Sequence, residues 1–144
     1  MLPAREPANM LTQLDGSDDK PADVLIPDYQ NGKGCCFDIV VSSSFTHVQK
    51  IADEPGSHMK AAEKRKCDLY QSRCNQVNLD FSPFAMDVFG GMGTSCHALV
   101  KRLAVCLADK ENSTVWLKSA HIRQRLVASV QKGVALALQS RVNL

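Results

Sequence analysis

The sequence predicts an α/β fold: a small mixed β-sheet with flanking helices, followed by a C-terminal pair of amphipathic helices. Three observations carry that expectation. Two apolar runs, around Val24–Ile26 and Phe37–Val41, flank an Asn31-Gly32 pair, the strongest short-range hairpin signal. A helical stretch from about His58 to Val77 then leads to a third strand-like segment near 79–88, and this strand–helix–strand order suits a right-handed crossover. Beyond residue 90, apolar residues recur at helical spacing, first Cys96, Leu99, Val100, Leu103 and Leu107, then Val115, Ile122, Leu126 and Val130.

Composition bounds the function. A chain of 144 residues is long enough for one hydrophobic core, and 44% hydrophobic content excludes general disorder. No apolar run approaches the roughly 18 residues of a membrane span. Met1–Met10 contains Arg5 and Glu6 and no apolar core, so no signal peptide is expected. The six cysteines lie scattered through apparent core segments and are expected to be reduced, in an intracellular protein. The charge is lopsided. Residues 1–57 carry four Lys/Arg against nine Asp/Glu, a net −5, and residues 58–144 carry thirteen against six, a net +7. An acidic half beside a basic half suits an enzyme that holds a cation and acts on nucleic acid.

Taken in order, residues 1–21 are expected to form an N-terminal helix (about 3–14, entered at a proline) and a polar loop. The abrupt start leads to the expectation that this is the C-terminal piece of a longer protein. Residues 22–90 form the α/β core, and 91–144 the two helices packing on the same domain. Within the core, residues 28–34 are expected to make the turn. If Val24 and Ile26 share a face with Phe37, Ile39 and Val41, paired positions must sum to an odd number. That parity gathers Asp23, Leu25, Asp38 and Val40 on the other face and leaves Asp28 off it. On a helical wheel, Met59, Ala62, Lys66, Tyr70, Arg73 and Val77 fall within about 60° of one another, so Lys66 and Arg73 are expected to face the fold. Pro83 marks the third strand as an edge or irregular strand. Gly90-Gly91-Met92-Gly93 turns the chain before a helix capped by Thr94 or Ser95. Those glycines lack a P-loop ending and are expected to be a turn rather than a phosphate cradle.

Two carboxylates, Asp23 and Asp38, with Lys66 close by make a chemically meaningful set. Carboxylates hold a hard divalent cation, which lowers the pKa of a bound water. A lysine can orient that water and stabilise the charge that builds on phosphorus. The plainer reading is that Asp23 caps a strand, Asp38 bonds locally and Lys66 snorkels past apolar neighbours. The cysteines show no CxxC, and no paired histidine motif accompanies them, so zinc is not expected.

Ala22-Asp23, then fourteen residues, then Asp38-Ile39-Val40-Val41, followed by Ala61-Ala62-Glu63-Lys64-Arg65-Lys66 and Tyr70, resembles the endonuclease domain of site-specific non-LTR retrotransposon proteins, a variant of the restriction-endonuclease-like PD-(D/E)XK family. Phe81-Ser82-Pro83-Phe84 and Phe89-Gly90-Gly91-Met92-Gly93 look like the segment that follows this helix in retroelement-related proteins. The resemblance covers roughly residues 1–107. It implies a Mg²⁺-dependent (or Mn²⁺-dependent) DNA endonuclease acting inside the cell or nucleus, with DNA as partner and no membrane or small-molecule cofactor. Asp23 and Asp38 would be its metal ligands, with Lys66 and Tyr70 completing the catalytic set. Two departures stand out: Val40 occupies the position of the family's usual lysine, and Ala22 rather than a proline precedes Asp23, the literal Pro-Asp pair being Pro27-Asp28. Asp28 is therefore a second candidate, and Glu63 an outside one. No Tyr-x-Asp-Asp polymerase motif is present. The alternative is a non-catalytic nucleic-acid-binding or interaction remnant of the same fold. Lys101, Arg102, Arg123 and Arg125, with Lys132, are the candidate nucleic-acid contacts.

Overall fold

The computed structural model describes residues 4–5, 22–43 and 56–142. These form a mixed α/β structure with strands β1 (Ala4–Arg5), β2 (Val24–Gln30), β3 (Lys33–Ser42) and β4 (Asp80–Asp87), and helices α1 (Ser57–Gln76), α2 (Thr94–Glu111) and α3 (Val115–Val142). The sheet order is β1-β2-β3-β4. Where the sequence predicts a helix at 3–14, Ala4 and Arg5 instead pair antiparallel with Leu25 and Val24, and the rest of that segment lies outside the described residues.

The β2–β3 hairpin follows from its turn. Asn31 and Gly32 both take positive φ, 52° and 75°, as a two-residue turn with the twist of the flanking strands requires. The turn is tighter than the expected 28–34: β2 continues through Pro27 and an exposed Asp28 to Gln30, which faces Lys33. The register shifts between Ile26 and Gln30, and that irregularity accommodates Pro27, which lacks an N–H for the ladder. Before the shift, Val24 pairs with Phe37, Leu25 with Cys36 and Ile26 with Cys35. The partners sum to an odd number, the parity inferred from the apolar pattern. Burial differs from expectation: residues 34–38 are buried, but Ile39 and Val41 remain 47% exposed.

Strands β3 and β4 run parallel. Their starts meet through Lys33 Nζ and Asp80 Oδ1 at 2.6 Å, and their ends meet where the Val88 N–H donates to Ser42 O at 3.1 Å. Pro83 is tolerated because β4 is an edge strand among the described residues. Between the two strands, α1 ends where the N–H groups of both Val77 and Leu79 donate to Cys74 O, with Asn78 at φ 59°. Val77 thus lies past the helix. Cys74, on the flank of the inner stripe, is buried with Ala22, Cys36 and Phe81, while Leu25, Cys67, Tyr70 and Leu79 pack around them.

By density of contacts the chain divides into two units, residues 1–40 with 60–85, and 41–59 with 86–144. The first holds the cluster just described. In the second, α2 buries Cys96, Leu99, Val100, Ala104 and Ala108. Helix α3 packs on α2 but has no fully buried residue. Gly93, not Thr94 or Ser95, occupies the N-cap position of α2 and supplies no side-chain cap. Asn112 ends α2 in a left-handed conformation, and Thr114 Oγ1 accepts the Leu117 N–H at 3.3 Å to start α3.

Candidate active site

Each polar residue of the site is placed by one of these elements. Asp38 sits midway along β3, and the pleat puts it on the face that carries Cys36. It is the one buried charged residue among those described, 8% exposed. Lys66 lies on the inner side of α1, half-buried, one turn before Tyr70 and two before Cys74. Its Nζ stands 2.6 Å from Asp38 Oδ2. The contact is electrostatic rather than directional: Oδ2 is buried and receives no well-aligned hydrogen bond, although the opposite charges touch. The same ammonium lies 5.5 Å from the centroid of the Tyr70 ring, and Tyr70 in turn rests on Phe81 with centroids 5.7 Å apart. A charged amine at the edge of an apolar cluster is thus held by a carboxylate on one side and an aromatic ring on the other.

Asp23 stands just before β2. Its N–H donates to Phe37 O at 3.0 Å, and its Oδ2 accepts the Ile39 N–H at 2.7 Å. The carboxylate therefore reaches the backbone immediately beyond Asp38. Lys66 thus meets both Asp38 and Tyr70, and Asp23 bonds to the residue after Asp38. Asp28 is exposed within β2 and stands apart from them. Glu63 is half-buried one turn before Lys66. No group of three or more His, Cys, Asp or Glu side chains with metal-binding geometry occurs among the described residues.

The chain matches no family model, no curated protein and no solved structure.

The remaining candidates fall in the second unit. Lys101 and Arg125 are exposed, and Arg102 and Arg123 half-buried. Arg123 Nε donates to Ser119 Oγ at 3.4 Å along α3. The Gly90–Gly93 segment is held by Asp87, whose Oδ1 accepts the N–H groups of Phe89 at 2.7 Å and Gly91 at 2.9 Å. A Cβ at Gly91 would lie 2.7 Å from Asp87 Oδ2, so the glycine serves this turn. His97 and His121 are exposed, and His47 lies outside the described residues. Half-buried His58 has no hydrogen-bond partner at Nε2 among the described residues.

The pattern reading missed the pairing of Cys36 with Cys74. Both are fully buried, and their thiols hydrogen-bond to each other. That bond, with burial second, pushes the Cys36 thiol far up, while the same bond holds the Cys74 thiol below its ordinary value. Cys67 is pushed up chiefly by burial. The signal lay in the wheel: Cys67 and Cys74 flank the stripe that contains Lys66 and Tyr70.

Proposed function

We propose that this chain is a metal-dependent DNA endonuclease-like domain of retroelement origin, with a restriction-endonuclease-like core and a C-terminal helical pair. The observation that carries the reading is the 2.6 Å contact of Lys66 with Asp38, with Asp23 bonded to the very next residue of β3. A lysine on the inner face of a helix with a buried carboxylate is poor design for solubility and good design for phosphate chemistry. The donor set fits a hard cation in part. Among the described residues, Asp38 Oδ2 lacks a directed hydrogen bond, and Asp23 engages the Ile39 amide through Oδ2. Mg²⁺ is commonly held by one or two carboxylates, with water and substrate phosphate supplying the rest. Asp23 and Asp38 would hold Mg²⁺ or Mn²⁺, which supplies a hydroxide near neutral pH. Lys66 orients the attacking water and stabilises the negative charge that develops on the phosphoryl oxygens. Tyr70 and Phe81 fix the Lys66 stem so that its ammonium is positioned before substrate arrives.

A second reading draws on a specific observation as well. Lys66 already neutralises Asp38, and the Ile39 amide already engages Asp23, so the network is equally suited to joining β2, β3 and α1. On that reading the domain is a non-catalytic nucleic-acid-binding remnant that works through Lys101, Arg102, Arg123, Arg125 and Lys132. One assay separates the two: nicking of supercoiled plasmid in Mg²⁺ by wild type, Lys66→Met and Asp38→Ala, with circular dichroism to confirm folding and DNA binding measured at low salt. The nuclease reading expects cutting by wild type alone, with at least a hundredfold loss in each variant, on the order of other lost catalytic groups. Equal cutting by Lys66→Met would make the lysine structural. Folded wild type that binds but does not cut supports the remnant, and no binding at low salt removes both readings.

A further inference from the structure

The thiols of Cys36 and Cys74 have no part in phosphodiester chemistry, yet they meet beside the residues proposed for it. Cys36 projects from β3 two residues before Asp38, on the same face. Cys74 projects from α1 two turns after Lys66. Both are 0% exposed, and they share one cluster with Ala22 and Phe81. The structure assigns to this pair a covalent modification site: an intramolecular disulfide that clamps α1 to β3, formed by exchange with a small-molecule disulfide such as oxidised glutathione.

The surroundings select this pair over the other cysteines, all six of which are reduced thiols here. Cys35 neighbours Cys36 in sequence, but strand alternation puts it on the opposite face, and its thiol donates to Cys36 O at 3.7 Å. Cys67 packs against the same cluster from two turns earlier on α1 and is the nearest competitor. Cys106 is exposed on α2, and Cys96 is buried in the second unit.

The order of events follows from where each thiol sits. Cys74 lies in the last turn of α1, and its carbonyl takes the closing hydrogen bonds from Val77 and Leu79. Helix ends open locally at far less cost than strands within a sheet. Fraying of that turn exposes Cys74 while Cys36 stays paired opposite Leu25. The Cys74 thiolate attacks one sulfur of the small disulfide, its proton passing to solvent. A new S–S bond forms, the oxidant's S–S bond breaks, and one glutathione thiolate leaves. As the turn begins to close, Cys36 gives up its proton to solvent, its thiolate attacks Cys74 Sγ, the mixed disulfide breaks, and the second glutathione leaves as a thiolate that takes up a proton. Two protein thiols have lost two hydrogens, and two glutathione thiols have gained them.

The test reads mass and thiol count, so it is independent of nuclease activity. The full chain, dilute, is equilibrated with oxidised glutathione, alkylated and mapped by peptide mass spectrometry. Wild type should pass from six alkylatable thiols to three, two lost as Cys36 and Cys74 cross-link and one as exposed Cys106 is glutathionylated. Cys36→Ser should retain one glutathionyl group on Cys74, whereas Cys67→Ser should cross-link as wild type does. A link that contains Cys67, a Cys74–glutathione adduct in wild type that never resolves, or no reaction at either thiol once Cys106 is fully modified would each overturn the assignment. If Cys36→Ser does not fold, the wild-type map alone decides.

Discussion

The two units of this chain bury their residues on opposite principles. In the first, the interior face between β2, β3 and α1 mixes apolar side chains with a buried carboxylate, a half-buried ammonium and two touching thiols. Each of those polar groups has a specific partner on another element. In the second, α2 buries five small or apolar residues, while α3, 28 residues long, buries none fully. Trp116 there is 77% exposed. A polar group in an interior must be met by a partner at one position, so it fixes register and orientation. An apolar stripe on a helix accepts many neighbours and fixes little. The first unit therefore holds the proposed site, and substitutions in the two should differ in kind as well as in size.

Among the polar groups of the first unit, the largest effect is expected at Lys66. Removing one member of a buried ion pair leaves the other charge without compensation, at about 3–5 kcal/mol when both are fully buried. Here the Lys66 side chain keeps 23% of its exposure, so the cost falls below that range, to about 2–3 kcal/mol for Lys66→Met. Urea denaturation should show a lower midpoint with an unchanged slope. Adding Asp38→Asn removes the stranded charge, and the double variant should recover more than half of the loss. If the single and double variants are equally unstable, Lys66 contributes through packing and the pair is incidental.

Lys66 also shows how far the sequence could be read. The odd parity of the hairpin followed from which residues are apolar, because a one-residue slip would turn every side chain to the other face. The wheel put Lys66 and Tyr70 on the inner stripe, since a helix has a fixed period. What could not be read was the end of α1. Helical period alone carries the stripe to Val77, but Asn78 takes φ 59° and stops the helix early, so Cys74 closes the cluster instead. Ile39 and Val41 were expected inside because they are apolar and β-branched. Their exposure depends on which faces are covered, and periodicity alone does not carry that information. At Ala4–Arg5, the pairing with β2 overrode a local pattern compatible with a helix turn.

A smaller effect contrasts glycines in the two units. Gly32 and Gly90 both take positive φ, 75° and 96°. A Cβ at Gly32 would meet nothing within 4 Å, whereas one at Gly90 would lie 2.7 Å from Val127 Cγ2 and 2.9 Å from Cγ1. Gly32→Ala should cost about 1 kcal/mol, from backbone strain alone. Gly90→Ala should cost about 1–2 kcal/mol more, because Val127 is short and β-branched and cannot swing away. Thermal melts of the two variants measure the difference directly. Equal losses would mean that the turn moves off α3 without penalty.

The smallest effect is expected at the end of α3, and it tests the comparison from the other side. With 28 residues against 18, α3 outruns α2 by about 15 Å at the rise of a regular helix. The contact of Gly90 with Val127 places the start of α2 beside the middle of α3, so the excess falls beyond that point. Leu136 and Leu138 lie there, 56% and 58% exposed. A leucine that already meets water loses little when truncated. Leu136→Ala and Leu138→Ala should each change stability by no more than about 0.5 kcal/mol, compared with about 3–5 kcal/mol for Phe81→Ala beneath Tyr70. Urea midpoints of the three variants measure this ratio. If either leucine cost more than about 1 kcal/mol, it would have to be packed in solution. The second unit would then depend on specific neighbours as the first one does.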